Sequence, residues 1–462
     1  MTVLPNSPHA RDIKNYLHPY SNLKKHEVRG PLIIEKGDGI YVEDLEGNKY
    51  IEGLAGLWCT SLGFNNERLV EAAAAQMRKL PYYHAFFHRS SMPSIDLAER
   101  LIEMTPGNMS KVWFANSGSE ANDHMVKFVW YYNNARGKPE KKKIIARIGG
   151  YHGIAVSSGS LTGMPLMHKG FDLPIKNILH TGSCHYYHFA EAGESEEDFA
   201  TRRANELEQQ ILAEGPETVA AFVAEPVMGA GGVILPPKTY FEKIQAVLKK
   251  YDVLMVADEV ICGFHRTGNV FGSNTYGITP DIMVVAKQLS SAYLPISAVI
   301  INEKVYGPIR DFSDQNGVLA TGFTYSGHPV PAAVAVETLK IYDEMDIAGH
   351  VNRVAPAMQE RLHALADHPI VGEARGVGLI GAVELVKNKE TKENFGPEIA
   401  AFCGDACLTH GLILRAAAGT SVAACPPLII TEDEIHQMFD RFKLALDDTW
   451  AHVQKEKLLA AE

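Results

Sequence analysis

Positive charge is scarce in this chain: 44 lysines and arginines against 55 aspartates and glutamates leave its 462 residues at a formal net charge of −11. No general basic field exists to attract nucleic acid or an anionic membrane surface, and neither partner is expected. Long apolar runs are missing too; none approaches the ~18–20 residues that a bilayer-crossing helix requires. Cysteine is sparse, and the six residues Cys59, Cys184, Cys262, Cys403, Cys407 and Cys425 are too scattered for a disulfide framework, so they read as buried thiols. Met1 to Asn22 lacks the continuous apolar core of a secretion signal, which makes the cytoplasm the expected location. There is no G-x-S-x-G elbow, no Walker phosphate loop and no H-E-x-x-H segment, which removes the usual hydrolase, nucleotide and zinc-protease readings.

What is present is a globular chain, 46% hydrophobic and long enough for two packed domains. From about residue 66 to 325, helical patterns alternate with short apolar runs, the signature of a mostly parallel sheet covered by helices. Lys111–Ala115, Lys143–Ala146, Val219–Ala224, Val253–Ala257 and Ile282–Ala286 are too short for helices and apolar on both faces, which predicts central strands. Tyr240, Phe241, Ile244, Val247 and Leu248 form one helical stripe between two of them. Thr431-Glu432-Asp433-Glu434 reads as a capping box ahead of a stripe of Ile435, Phe439, Phe442 and Leu446. The expected division is an N-terminal segment, 1–65, joining the small domain; a large cofactor-binding domain, 66–344; and a C-terminal small domain, 345–462.

In open parallel sheets the carboxyl ends of the strands line the ligand crevice, so the residues after each run carry weight. They are Asn116-Ser117-Gly118-Ser119, Gly149-Gly150-Tyr151-His152, Glu225-Pro226, Asp258-Glu259 and Lys287. Ser117, Gly118 and Ser119 stand between a strand and a helix whose buried stripe is Ala121, Met125, Phe128, Val129 and Tyr132. The free N–H groups and dipole there suit a phosphate; a plain capped turn with Ser119 as N-cap is the competing reading, and Glu120 and Asp123 must point away from any bound dianion. Asp258 ends a buried strand, where a carboxylate is costly without a donor or cation. A protonated heteroaromatic nitrogen would meet that need, and so would a helix cap or Arg266. Lys287 is isolated at another strand end; withdrawn from water it would be a nucleophilic amine, whereas a lysine with a packed stem and a solvated head is the ordinary alternative.

Together these parts describe a site for pyridoxal 5′-phosphate (PLP): a lysine for its aldehyde, an aspartate for its ring nitrogen, a helix start for its phosphate and an aromatic for its face. The chain here resembles the class III aminotransferases of fold type I, and among them the omega-amine:pyruvate transaminases. The resemblance covers nearly the whole chain. Its carriers are Asn116-Ser117-Gly118-Ser119-Glu120-Ala121, Tyr151-His152-Gly153, Glu225-Pro226, Ala257-Asp258-Glu259-Val260 with Gly263-Phe264 and Arg266-Thr267-Gly268, Ala286-Lys287, and Gly322-Phe323-Thr324-Tyr325-Ser326-Gly327.

The resemblance implies an α/β fold, a large domain around a mostly parallel sheet and a smaller α+β domain. It implies Lys287 as Schiff-base lysine and Asp258 as ring-nitrogen partner. Ser117, Gly118 and Ser119 would form the phosphate loop, Tyr151 beside His152 would stack on the ring, and Val260 would contact its opposite face. Glu225 would be a nearby carboxylate on the hydroxyl side, and Phe323 and Thr324 would belong to the cofactor shell, Thr324 reaching the phosphate of a neighbouring subunit. The active unit is thus expected to be a homodimer with shared sites. Substrate selection would rest on Tyr20, Trp58, Tyr151, Phe323 and Arg415, the last a mobile arginine for an α-carboxylate. On the residues alone, Arg415 also reads as a surface arginine and Trp58 as a half-buried core aromatic.

The implied reaction moves an amino group from a primary amine or omega-amino acid to pyruvate in two half-reactions. Rivals are another class III PLP enzyme, of the dialkylglycine-type decarboxylase or aminomutase kind, and a non-catalytic PLP-binding scaffold. Gly376-Val377-Gly378-Leu379-Ile380-Gly381 satisfies the dinucleotide pattern, but it follows polar Glu373-Ala374-Arg375 and leads into the strand-like Ala382–Val386, so a turn is expected. His180, Cys184, His185 and His188 with Glu191 have ligand-like spacing in a loop, and ordinary packing is expected there, with no metal.

Overall fold

A computed structural model describes residues 6–459. Sixteen strands make three sheets among these residues. An N-terminal meander, β1 (Ile34–Asp38), β2 (Tyr41–Asp44) and β3 (Lys49–Glu52), leads into the central sheet. That sheet comprises β4 (Met109–Ala115), β5 (Lys143–Arg147), β6 (Ile178–Thr181), β7 (Val219–Ala224), β8 (Leu254–Asp258), β9 (Ile282–Val285) and β10 (Ser297–Asn302). The C-terminal strands are β11 (Val371–Val377), β12 (Ile380–Asn388), β13 (Glu393–Asn394), β14 (Leu412–Ile413), β15 (Arg415–Ala417) and β16 (Ser421–Ala424).

The central order is β4-β10-β9-β8-β7-β5-β6. Pairings from β9 through β6 are parallel, and only β10 runs against its neighbours. All five expected strands form, but β4 lies at an edge, where Lys111 is exposed, and is not central. Two strands of this sheet escaped the sequence reading: β6, whose four residues include His180 and Thr181, and β10. Successive residues of the inner strands enter opposite cores. Leu254 and Val256 pack with the helix Gly118–Ala135, whereas Met255 and Ala257 face the layer containing Tyr240, Phe241 and Ile244. The two-residue side-chain period explains why these runs are apolar throughout.

β11, β12, β16 and β15 form the C-terminal sheet; the helices Ile347–Ala364 and Pro397–Thr409 pack on it, and the helix Glu432–Lys455, with its Thr431–Glu434 capping box, packs against those two helices. β14 instead adds in parallel to β3, tying the meander to the C-terminal part of the chain. The glycine-rich segment at 376–381 is the β11–β12 hairpin. It does follow a strand, contrary to expectation, because alternating polar residues on β11 masked it, but no helix follows. Gly378 has φ +57°, and a Cβ there would lie 2.4 Å from the Arg266 carbonyl oxygen.

Candidate active site

The carboxyl ends of β4, β5, β7, β8 and β9 converge on a cleft lined by Gly118, Ser119, Tyr151, His152, Glu225, Asp258, Val260 and Lys287, with Asn122, Gly153 and Ile261 beside them. The helix start is built first. Ser117, not Ser119, is the N-cap: its hydroxyl accepts the Glu120 N–H at 3.2 Å, and its carbonyl is held by Ser297 Oγ at 2.8 Å. Ser119 Oγ accepts the Ile154 N–H. The two acids that threatened an anion site are consumed locally, Glu120 by Asn116 and Asp123 by the Ser158 N–H. Gly118 leaves a cradle, since a Cβ there would lie 3.2 Å from both Val260 methyls.

Asp258 is 2% exposed and accepts from Asn122 Nδ2 at 2.9 Å, His152 Nδ1 at 2.8 Å and the Val260 N–H at 3.1 Å. None of these partners is lysine or arginine. Arg266 goes elsewhere, to the carbonyls of Leu379 and Pro426 and to Gln288 Oε1, which closes that alternative. Glu259, expected at the same edge, turns away to hold the Gly272 and Ser273 N–H groups. Glu225 accepts the Tyr151 and Gly229 N–H groups, and burial pushes its carboxyl above the ordinary range.

Lys287 follows β9 after one residue and has φ +51°, a left-handed conformation that non-glycine residues seldom adopt. Burial lowers its ammonium pKa, opposed by Cys59, Asp258 and Glu225, which favour the charged form. The adjoining Gln288 pins the turn by donating to the carbonyls of Ile261 and Gly263 at 2.8 and 2.9 Å.

The remaining residues divide. Arg415 and Tyr20 meet beside a second cavity shared with Met164, Leu166 and Ala230, with the guanidinium 5.6 Å from the ring centre of Tyr20. Trp58 is only 1% exposed, more buried than expected, and packs in an apolar cluster with Ile261 behind the cleft wall. Phe323 lies against Trp113 and His124 instead of the cleft, and Thr324 is exposed, its carbonyl accepting from Tyr82. Within one chain these two residues do not reach Lys287's cleft. His185 and His188 pair with Glu373 and Glu384, His180 with the Leu161 carbonyl, and no metal-like cluster joins them. Sequence reasoning missed Asn122 and Gln288. Asn122 sits one helical turn beyond Ser119, so it shares that face; Gln288 carries no comparable signal.

Residues 22–446 match the family model described as Aminotransferase class-III. The chain belongs to the class III aminotransferases. It is 51% identical over 464 residues to gamma aminobutyrate transaminase 3, chloroplastic, of Solanum lycopersicum, covering 99% of this chain and 89% of that one. It is 53% identical to a mitochondrial gamma-aminobutyrate transaminase 1 of Oryza sativa subsp. japonica, covering 92% and 83%. An omega transaminase from Pseudomonas jessenii solved in complex with PMP superposes with TM-score 0.96 at 56% identity, covering 97% of this chain and 99% of that one. Class III aminotransferases depend on PLP. The residues of this aminotransferase fit that cofactor: a buried carboxylate with no lysine or arginine partner, a buried and unpartnered His152 Nε2, a glycine cradle at a helix start and a lysine at the cleft wall.

Proposed function

We propose that this aminotransferase moves an amino group from a primary amine or omega-amino acid to pyruvate, returning to its starting form through two half-reactions. The observation that carries the reading is the shared cleft of Lys287 and the anchored Asp258, with Arg415 beside Tyr20 at an adjoining cavity. PLP, when bound, withdraws electrons from the carbon that bears the amine. Lys287 would hold it covalently and, once released, its Nζ would take the proton from that carbon and return it on the other side of the transfer. Asp258 would keep the ring nitrogen charged, its own position set by Asn122 and His152. Gly118 and Ser119 would receive the phosphate; Tyr151, Val260 and the neighbouring Ser117, His152 and Glu225 would complete the cradle.

Arg415 would grip the acceptor's carboxylate through two parallel hydrogen bonds and swing aside for an apolar amine. Trp58, behind Ile261, would limit the size of the group admitted; one solved neighbour is a tryptophan-to-glycine variant engineered for synthesis of bulky amines. The curated relatives' names support an omega-amino acid donor and the solved neighbours an amine donor. Phe323 and Thr324 would serve a neighbouring subunit's cofactor. Exposed Tyr83, Phe87, Met92 and Tyr325 support burial of that face in a homodimer. The division into 1–65, 66–344 and 345–462 draws support from β14 joining β3, and a cytoplasmic location is part of the same reading.

The test adds a panel of amines to purified holoenzyme without keto acid and follows the cofactor's visible absorbance alongside the carbonyl product. Bleaching with stoichiometric product, reversed by pyruvate, is expected. Release of carbon dioxide, or no change with any amine, would overturn the reading.

A further inference from the structure

The N-terminal segment carries a second cluster that the cleft does not use. Asp12 lies on the helix Pro8–Asn15, His18 in the turn that follows, and His26 on the helix Leu23–Arg29. Both Nε2 nitrogens converge on one oxygen: His18 lies 2.9 Å and His26 3.0 Å from Asp12 Oδ1, and the imidazole centres are 4.2 Å apart. Among the described residues this is the only group of three or more His, Cys, Asp or Glu side chains whose donor atoms all lie within 4.8 Å of one another.

We propose that Asp12, His18 and His26 bind one divalent transition-metal ion of the zinc class and thereby clasp the two N-terminal helices. Two imidazole nitrogens and a carboxylate oxygen are borderline ligands suited to such an ion and unlike the all-oxygen shells of calcium or magnesium. With bonds of ~2.0–2.1 Å, a tetrahedral ion holds its ligand atoms about 3.3 Å apart, close to the 2.9 and 3.0 Å at which the two nitrogens already lie from Asp12 Oδ1. The side chains are 19%, 23% and 14% exposed, which leaves water a fourth position and the ion a way in. The ion would take the place of the Nε2 hydrogens; in a neutral ring that hydrogen moves to Nδ1, so uptake releases a proton to solvent only from a ring that is charged beforehand.

The clasp has a consequence at the substrate cavity. Tyr20 is two residues beyond His18, has φ +52°, and lies under Arg415. Joining His18 to both helices holds this turn, and Tyr20 with it, against the guanidinium. Metal binding stands independently of the transaminase reading; the effect on Tyr20 rests on it.

The experiment strips purified holoenzyme with a chelator, removes the chelator by dialysis and titrates ZnCl2 against a chromophoric competitor. One tight equivalent per chain is expected, and the double variant His18→Ala/His26→Ala should bind at least ~100-fold more weakly, because loss of outer-sphere partners alone already costs ~10–100-fold. Equal binding by wild type and variant, or no wild-type uptake below millimolar zinc, would overturn the site. As a check that needs no variant, cobalt(II) loading of the wild type should produce the visible bands of a four-coordinate nitrogen–oxygen site without thiolate charge transfer; bands of a thiolate or six-coordinate site would equally overturn it. Zinc should also change KM for the keto acid with little change in kcat, and an unchanged KM at full occupancy would overturn the Tyr20 consequence alone.

Discussion

Lys287 combines three properties that seldom coincide: a left-handed backbone, a pKa lowered chiefly by burial and a place on the wall of the main cleft. Lys287→Ala is expected to lower turnover by at least ~10³-fold while leaving the fold intact, measured by steady-state kinetics beside circular dichroism. Full activity would remove the lysine from the mechanism. Arg415→Ala should raise KM for pyruvate well above any effect on a neutral amine; equal changes for both would count against a carboxylate grip. A third residue bears on stability. Burial pushes the Glu52 carboxyl up to about 7, against the opposing Leu54 and Gly56 N–H groups. The folded form therefore holds a proton that the unfolded chain releases near 4.5, and the contribution is complete below pH 4.5 and lost as pH rises through about 7. Wild type should lose on the order of 3 kcal/mol relative to Glu52→Gln across that window, as read by urea unfolding at pH 5 and 8.

At the scale of elements, the site depends on short connections that hold strand ends in register. The Ser117 cap and the bond from Ser297 fix where the helix Gly118–Ala135 begins, and Gly118 allows Val260 to close over it. In Gly118→Val the added carbons would collide with Val260, so cofactor affinity should fall at least tenfold while the apoenzyme keeps most of its thermal stability. Comparing PLP titration with melting of the apo form separates the two effects. Most of these elements were legible. The runs at 219–224 and 282–286 announced strands because both faces are buried, and the capping box announced the helix at 432–455. β6 and β11 were not legible, because polar residues such as His180, Glu373 and Arg375 interrupt their apolar pattern while pairing with groups elsewhere in the chain, the Leu161 carbonyl, His185 and the Gly232 carbonyl. Ser119 was a reasonable cap by residue type, but the helix starts two residues earlier than that choice requires.

For the whole molecule, the exposed aromatic face carrying Phe87 (77% exposed) and Tyr325 (57% exposed) lies on the segments that hold Phe323 and Thr324. If that face is an interface, Phe87→Glu should shift sedimentation toward monomer and reduce activity in step, with recovery at high protein concentration. A monomer of full activity would show that one chain completes its own site.

The sequence alone determined which chemistry-bearing residues sit at strand ends, because central parallel strands are apolar throughout and the first polar residue after each run stands out. It could not determine which of those residues share a cleft. Asp258 and Glu259 are adjacent in sequence and alike in type, yet one faces Asn122 and His152 while the other caps the turn at 272–273. Nor could it show that Asp12, His18 and His26 meet, or that Gln288 braces Lys287. Such pairings depend on where separate segments cross in space, and tertiary packing sets those crossings after local pattern and propensity have had their say.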